Sequence, residues 1–159
     1  MPSAGLSVLV IAPPVWPAAW AWSVPLIVLT VIIHVLGLGF VNGKIMRVSD
    51  GIMQRHHPTI SFVVIVGIAT WSATSLHAVE VVIWAAAYRL IDALPENGSA
   101  ILYSLNAMTS YGHTNLFLDG HWELMGAMEA LNGWLLFGLT TAFLFGILAK
   151  VWSLAEKRG

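Results

Sequence analysis

The sequence contains no cysteine and few charged residues. The absence of cysteine excludes disulfide bonds, thiolate metal sites and cysteine nucleophiles. Charged residues make up only 9% of the 159-residue chain, whereas a soluble domain usually carries about 25%. Hydrophobic residues make up 58%, and the mean hydropathy is +0.80. Because so small a number of polar residues cannot cover a water-facing surface, the composition predicts an integral membrane protein whose exterior faces the lipid bilayer.

Basic residues are scarce as well. The formal net charge of −1 argues against nucleic acid as a partner. The first Lys or Arg is Lys44, so the chain lacks the basic start of a signal peptide. No catalytic constellation is evident in the sequence, and we expect the protein not to be an enzyme. Eight tryptophans suit the headgroup level of a membrane, where their rings are amphipathic.

Three apolar runs are long enough to cross a bilayer, which takes about 20 residues as a helix. They cover residues 23–41, 59–88 and 124–152. We expect Asn42-Gly43 to end the first helix. The expected order is an apolar interfacial segment (1–22), a first transmembrane helix (23–41), a cytoplasmic basic linker (42–58), the region with the other two spans (59–152) and a cytoplasmic tail (153–159).

The basic residues predict the orientation. Six of the seven fall into two groups separated by two crossings, and these groups therefore lie on the same side: Lys44, Arg47 and Arg55, and Lys150, Lys157 and Arg158. The excess of positive charge predicts that this side faces the cytoplasm. The expected location is the cell inner (plasma) membrane. The N-terminus is then outside and the C-terminus cytoplasmic. The outer loop carries Asp92, Glu96, Asp119 and Glu123 against Arg89, a balance that attracts cations.

A short apolar run at residues 99–108 precedes TSYGHTN at 109–115, which is not helical in character. Ten residues give about 15 Å of helix, half a membrane span. One interpretation is an outer loop with an amphipathic surface helix. The other is a helix that enters the membrane halfway and returns, since irregular backbone at that depth is tolerated where protein buries it or water reaches it. Its C-terminal, partly negative end would then favour a cation.

Residues 98–151 contain AILYSLNAMTSYGHTN, then Leu118, Trp122 and LMGAMEALNGWLLFGLTTAFLFGIL. This stretch resembles the pore helix, filter and inner helix of small prokaryotic potassium-channel-like proteins, the two-transmembrane ion channel family. Residues on the preceding span resemble that family's outer helix: His77, Glu80, Trp84, Ala86 and Tyr88. The EALNG-x-LLFG stretch is the most specific part.

The resemblance implies an all-α integral membrane protein with three transmembrane helices, a re-entrant pore helix and a filter loop. Residues 59–152 would form an ion-channel-like pore domain. Four copies would surround one axis as a homotetramer, because one pore loop cannot enclose a pore. The implied function is passive conduction of a monovalent cation, with K⁺ the first expectation and no cofactor.

The filter segment departs from the family pattern T-T-x-G-Y-G-D. That pattern falls on Thr109, Ser110, Tyr111, Gly112, His113, Thr114 and Asn115. Thr114 replaces a glycine, and a β-branched residue resists positive φ. We therefore expect the carbonyls of residues 109–111 to keep the filter geometry better than the outer half, and selectivity to be weak or altered. His113 is either a titratable ring at the outer mouth or a side chain packed behind the filter. The alternative function is a non-conducting accessory or structural subunit of a larger membrane complex.

Three ionisable residues of the expected spans need partners: His77, Glu80 and Glu129. One interpretation is a hydrogen-bonded brace that holds the pore helix. The other is a membrane metal-binding protein in which these residues, with His113, bind iron, zinc or manganese. The isolated His34 is expected to be packed or hydrogen-bonded. Gly133 is either a gating hinge or a position of close helix packing.

Overall fold

A computed structural model of the protein describes residues 16–55, 57–112 and 115–156. Four helices account for most of them, and no strand occurs in these ranges. The helices are α1 (Trp16–Arg55), α2 (Pro58–Leu90), α3 (Asn97–Met108) and α4 (Glu123–Glu156). Three are long and apolar enough to span a membrane, over Pro17–Ser49, Thr59–Leu90 and Glu123–Ser153. Over the described residues, the predictions of an all-helical architecture and of three helices long and apolar enough to cross a membrane are confirmed.

The predicted end of the first helix is wrong. α1 continues through Asn42-Gly43 to Arg55, so most of the expected linker is helical. A glycine inside a helix costs only about 1 kcal/mol relative to alanine. The buried face of α1 continues past this point through Leu38, Ile45 and Ser49, which share one side of the helix. Packing of that face against the neighbouring helices outweighs the local preference for a break.

The expected interfacial segment also changes at its C-terminal end. Residues 16–22 belong to α1, while residues 1–15 lie outside the described ranges. α2 begins after His57, whose ring accepts a hydrogen bond from the Thr59 backbone N–H at 3.4 Å. Pro58 occupies the first turn, where a missing N–H has no consequence. The start predicted at Thr59 is confirmed to within one residue.

α2 ends in a left-handed turn at Asp92, which has φ of 57°. The Ala93 N–H donates to the Tyr88 carbonyl at 3.0 Å, and the Asp92 N–H donates to the Arg89 carbonyl at 3.2 Å. These two bonds form a Schellman motif, which satisfies the last carbonyls of a helix. The chain then reverses within a few residues to start α3.

α1, α2 and α4 pack against one another, while α3 packs against α2 and α4. The buried apolar residues form two separate clusters. The larger one surrounds α3 and includes Trp84, Tyr88 and Met125, whereas the smaller one includes Ile65 and Ile147 near the other end of the bundle. Polar side chains occupy the level between the two clusters, and this level is the site described next.

Candidate functional site

A buried polar cluster joins the three spanning helices at their middle. His34 lies halfway along the span of α1, His77 just past the middle of that of α2, and Thr140 halfway along that of α4. Glu80 follows His77 by one helical turn. His34 and Glu80 are completely buried, and 14% of the His77 side chain is exposed. We call His34, His77, Glu80 and Thr140 the central cluster.

Both imidazoles of the central cluster contact the same hydroxyl group. His34 Nε2 and His77 Nε2 each lie 3.0 Å from Thr140 Oγ1. A hydroxyl has one hydrogen to donate and two lone pairs to accept with. At most one ring can therefore accept from Thr140, and at least one must donate its Nε2–H to it. Thr140 thus fixes the orientation of both rings, and their opposite edges carry the Nδ1 atoms.

The Nδ1 edges of both rings face the carboxylate of Glu80. His34 Nδ1 lies 2.7 Å from Glu80 Oε1 and forms a hydrogen bond with it. His77 Nδ1 lies 3.1 Å from Glu80 Oε2, but the two atoms are not aligned as a hydrogen bond. Both of these atoms are buried and have no hydrogen-bond partner. One ligand atom from each of the three residues lies within 4.8 Å of the other two.

Ring packing holds the cluster in place. The His34 and His77 rings have centroids 5.0 Å apart. The His77 ring also packs on Phe137 of α4, at 4.6 Å between centroids. Because Phe137 is itself partly exposed, it separates His77 from the outside of the bundle without sealing it.

The sequence predicted part of this arrangement. His77 and Glu80 come together as expected, but their partners lie on α1 and α4 rather than on the short helix. His34 is buried and hydrogen-bonded, as predicted, and it is also a full member of the cluster, which we did not predict. The sequence did carry a signal for this, since His34 lies halfway along its apolar span and His77 lies near the middle of its own. Glu129 lies outside this cluster, so the structure does not bring together the three residues of the alternative metal set, His77, Glu80 and Glu129.

Glu129 forms a second buried site, next to α3. Its Oε2 accepts a hydrogen bond from the Tyr88 hydroxyl at 2.7 Å, and its Oε1 accepts one from Ser104. The Ser104 hydroxyl also lies 3.0 Å from the carbonyl oxygen of Val81. A single buried carboxylate therefore connects α2, α3 and α4 through hydrogen bonds.

A further polar contact lies between the two sites. Asn132 of α4 donates from Nδ2 to Thr30 Oγ1 of α1 at 2.9 Å, and both side chains are buried. Thr30 in turn donates to the Leu26 carbonyl at 2.8 Å. The polar groups on the inner side of α4 therefore form a column from Glu129 through Asn132 to Thr140.

The C-terminal end of α3 rests on α4 at Gly133. A Cβ atom added at Gly133 would overlap the carbonyl oxygen of Met108. Gly133 is ten residues into α4, or about 15 Å along that helix. The close packing expected as one role of Gly133 is therefore present. Its role as a gating hinge stays a prediction, since α4 is one uninterrupted helix through this point.

The first residues of the predicted filter form the cap of α3. Ser110 has φ of 55°, and its N–H donates to the Ala107 carbonyl at 2.9 Å. The Tyr111 N–H donates to the Asn106 carbonyl at 3.0 Å, which completes a second Schellman motif. Gly112 follows with φ of 91°, a conformation that favours glycine.

The described side chains of this segment, at 109–111 and 115, are exposed. Thr109 donates to the Leu105 carbonyl at 2.7 Å, and Ser110 accepts a hydrogen bond from the indole N–H of Trp134 at 2.9 Å. Tyr111 is 82% exposed, and Asn115 is exposed as well. His113 and Thr114 lie outside the described residues, so the expectations for them are not addressed by the structure.

A cavity of about 340 Å³ lies between α3, the loop that follows it and α4. Its walls include Asn106, Gly112, Leu118 and Glu123. Tyr103 also lines it, and its hydroxyl fills the space above Gly126. Burial raises the pKa of the Tyr103 hydroxyl to about 12, and the charges of Glu129 and Glu123 act in the same direction. The Tyr103 hydroxyl therefore stays protonated over the physiological range.

No protein-family model matches the chain, and no match was found among curated proteins or solved structures.

Proposed function

We propose that the chain is one subunit of a homotetrameric cation channel in which α3 is a re-entrant pore helix. The observation that carries the proposal is the contact between the carbonyl of Met108 and Gly133. The end of a half-length helix thus meets a point about 15 Å, or about a third of the length, along α4, which is long and apolar enough to span a membrane.

The outer face of α3 also supports a position inside the membrane. A surface helix of a water-exposed loop has polar residues on the side that faces away from the protein. On α3 that side carries Ile101, Leu102 and Leu105, each about half exposed. In a tetramer these residues would be covered by lipid or by the neighbouring subunits.

The other end of α3 is surrounded by acidic residues. Asp92 and Glu96 precede the helix and Glu123 begins α4, and all three are exposed. Four copies would surround the pore mouth with carboxylates, which raises the local concentration of cations. Arg89 is the one basic residue of this region.

One observation favours the alternative of a non-conducting subunit. The carbonyls of Leu105, Asn106 and Ala107 accept hydrogen bonds from the turn that follows α3. These are the groups that give a helix its negative end, and their pairing leaves less of that potential for a cation. We therefore expect conduction with weak or altered selectivity rather than strong preference for K⁺.

The experiment compares wild type with Gly133→Ala and Gly138→Ala. Both glycines lie in α4, but a Cβ at Gly138 meets no atom within 4 Å. The purified proteins are reconstituted into liposomes for K⁺ and Na⁺ flux, and their mass is measured in mild detergent. We expect tetramers and cation flux for wild type and Gly138→Ala, and reduced flux for Gly133→Ala.

A monomeric wild-type protein would contradict the channel proposal, because one short helix cannot enclose a pore. A tetramer without flux would also contradict it and would support the accessory-subunit alternative. Strong preference for K⁺ over Na⁺ would leave conduction in place and overturn the expectation of altered selectivity.

A further inference from the structure

When both imidazoles are neutral, the central cluster has more polar contacts than hydrogens to fill them. Thr140 can donate to one imidazole, and the other must donate to Thr140. In the arrangement with two neutral rings that keeps the 2.7 Å bond from His34 Nδ1–H to Glu80, His77 donates its Nε2–H to Thr140. Its Nδ1 then presents a bare lone pair to Glu80 Oε2 at 3.1 Å. Two buried acceptors face each other, and this arrangement calls for a cation between them.

Two occupants would resolve this contact, a proton on His77 Nδ1 or a metal ion. A proton requires an N–H that points along the line to the oxygen. His77 Nδ1 and Glu80 Oε2 are close enough for such a bond but do not have its alignment, and both remain without a hydrogen-bond partner. A metal ion does not lie on the line between its ligand atoms, so the misalignment is no obstacle to it.

We propose that His34, His77 and Glu80 bind one divalent transition-metal ion through two imidazole nitrogens and one carboxylate oxygen. The three ligand atoms lie within 4.8 Å of one another, a separation that small side-chain rotations reduce to that of ligands on one ion. Two histidines and one carboxylate are a ligand set suited to Zn²⁺, Fe²⁺ or Mn²⁺. The metal site does not depend on whether the protein conducts ions.

Thr140 fixes the tautomers of the two histidines in the proposed site. A histidine that binds a metal through one nitrogen usually donates from the other to an oxygen atom, which fixes its tautomer. When both rings carry their hydrogen on Nε2, the two lone pairs of Thr140 Oγ1 accept both bonds at 3.0 Å. Both Nδ1 atoms are then free and face Glu80.

The charge and access of the site fit an ion as well. An isolated carboxylate at the middle of a bilayer is costly and requires a positive partner. Of the four histidines within the described ranges, two lie at Glu80. His77 is the ligand that keeps 14% of its side chain exposed, which provides a route for the ion.

A bound ion would attach α1 to the rest of the bundle. His34 is on α1, His77 and Glu80 are on α2, and Thr140 connects the site to α4. The residues that surround α3 use a different carboxylate, Glu129, which already has two hydrogen-bond donors. The proposed ion would therefore stabilise the position of the first helix, which is not part of the resemblance to ion channels.

The test uses the full chain purified in detergent with an affinity tag that contains no histidine. Metal content is measured by mass spectrometry as isolated and after addition of Zn²⁺, Fe²⁺, Mn²⁺ or Co²⁺. We expect one ion per chain in the wild type and a Co²⁺ absorption band that Zn²⁺ removes. His34→Gln and Glu80→Gln should lose the ion, while His121→Gln and Glu123→Gln, which change exposed residues outside the cluster, should keep it.

A conservative pair keeps the test valid if the ligand variants do not fold. Thr140→Val should weaken metal affinity about 10- to 100-fold. Thr141→Val changes the next residue, which is exposed and donates only to the Phe137 carbonyl, and it should leave the affinity unchanged. Wild type that binds none of the four metals would overturn the proposal and leave a proton as the occupant. Equal stoichiometry and affinity in all the variants would place the ion elsewhere and overturn it too.

Discussion

The carbonyl oxygen of Met108 occupies the space in which a side chain at Gly133 would begin. Because backbone atoms cannot rotate away as a side chain can, any larger residue at this position has to displace the end of α3. The contact therefore couples the short helix to a point about a third of the way along α4.

The first prediction concerns the stability of that contact. Gly133→Ala should lower the free energy of unfolding by about 1–3 kcal/mol, the usual cost of overpacking. Gly138→Ala should be neutral or should raise it by up to about 1 kcal/mol, since alanine is the better helix former and the site is open. Thermal unfolding in detergent measures both. Equal effects of the two substitutions would show that α3 does not rest on Gly133.

The second prediction concerns the carboxylate of Glu129. Tyr88→Phe removes the 2.7 Å hydrogen bond and leaves Oε2 buried without a donor, which should cost about 1–3 kcal/mol. Tyr111→Phe makes the same chemical change at a residue that is 82% exposed and should cost less than about 0.5 kcal/mol. A double-mutant cycle of Tyr88→Phe with Glu129→Gln isolates the pair. Independent, additive effects would mean that Tyr88 and Glu129 do not interact.

The sequence predicted the helices better than their ends. Long apolar runs require a helix in lipid, so α2, α4 and the apolar part of α1 follow from hydropathy alone. The end of α1 does not, because Asn42-Gly43 is a local signal for a break and the residues that override it are distant. Leu38, Ile45 and Ser49 continue the buried face only once the other helices are in place.

The central cluster was predictable in part for a related reason. His77 and Glu80 share one helix face, and their spacing alone puts them together. Which residues of α1 and α4 meet that face depends on the rotation of three helices about their axes, and an amphipathic pattern does not report this rotation when every face is apolar. The contacts that His34 and Thr140 make with that face therefore emerge only from the packed structure.

The third prediction concerns the turn after α2. Asp92 has φ of 57°, a conformation that costs a residue with a side chain about 1–2 kcal/mol. Asp92→Gly should therefore stabilise the protein by up to about 1 kcal/mol. Asp92→Ala keeps the Cβ and loses the polar side chain that tolerates this conformation, and it should destabilise. Melting temperatures of the two variants test this, and the opposite order would show that the left-handed turn is not formed.

The last prediction concerns the filter and tests the origin of the expected weak selectivity. The resemblance places Thr114 where the channel family has glycine, and threonine resists positive φ. Thr114→Gly should therefore raise the ratio of K⁺ to Na⁺ flux in liposomes. Gly112→Ala should reduce the flux of both K⁺ and Na⁺, because the backbone there has φ of 91°, a conformation that alanine rarely adopts. Gly120→Ala, in the same loop but without a positive φ, is the matched control and should behave as wild type. An unchanged flux ratio in Thr114→Gly would mean that the outer half of the segment does not select the ion, and selectivity would then have to come from residues 109–112.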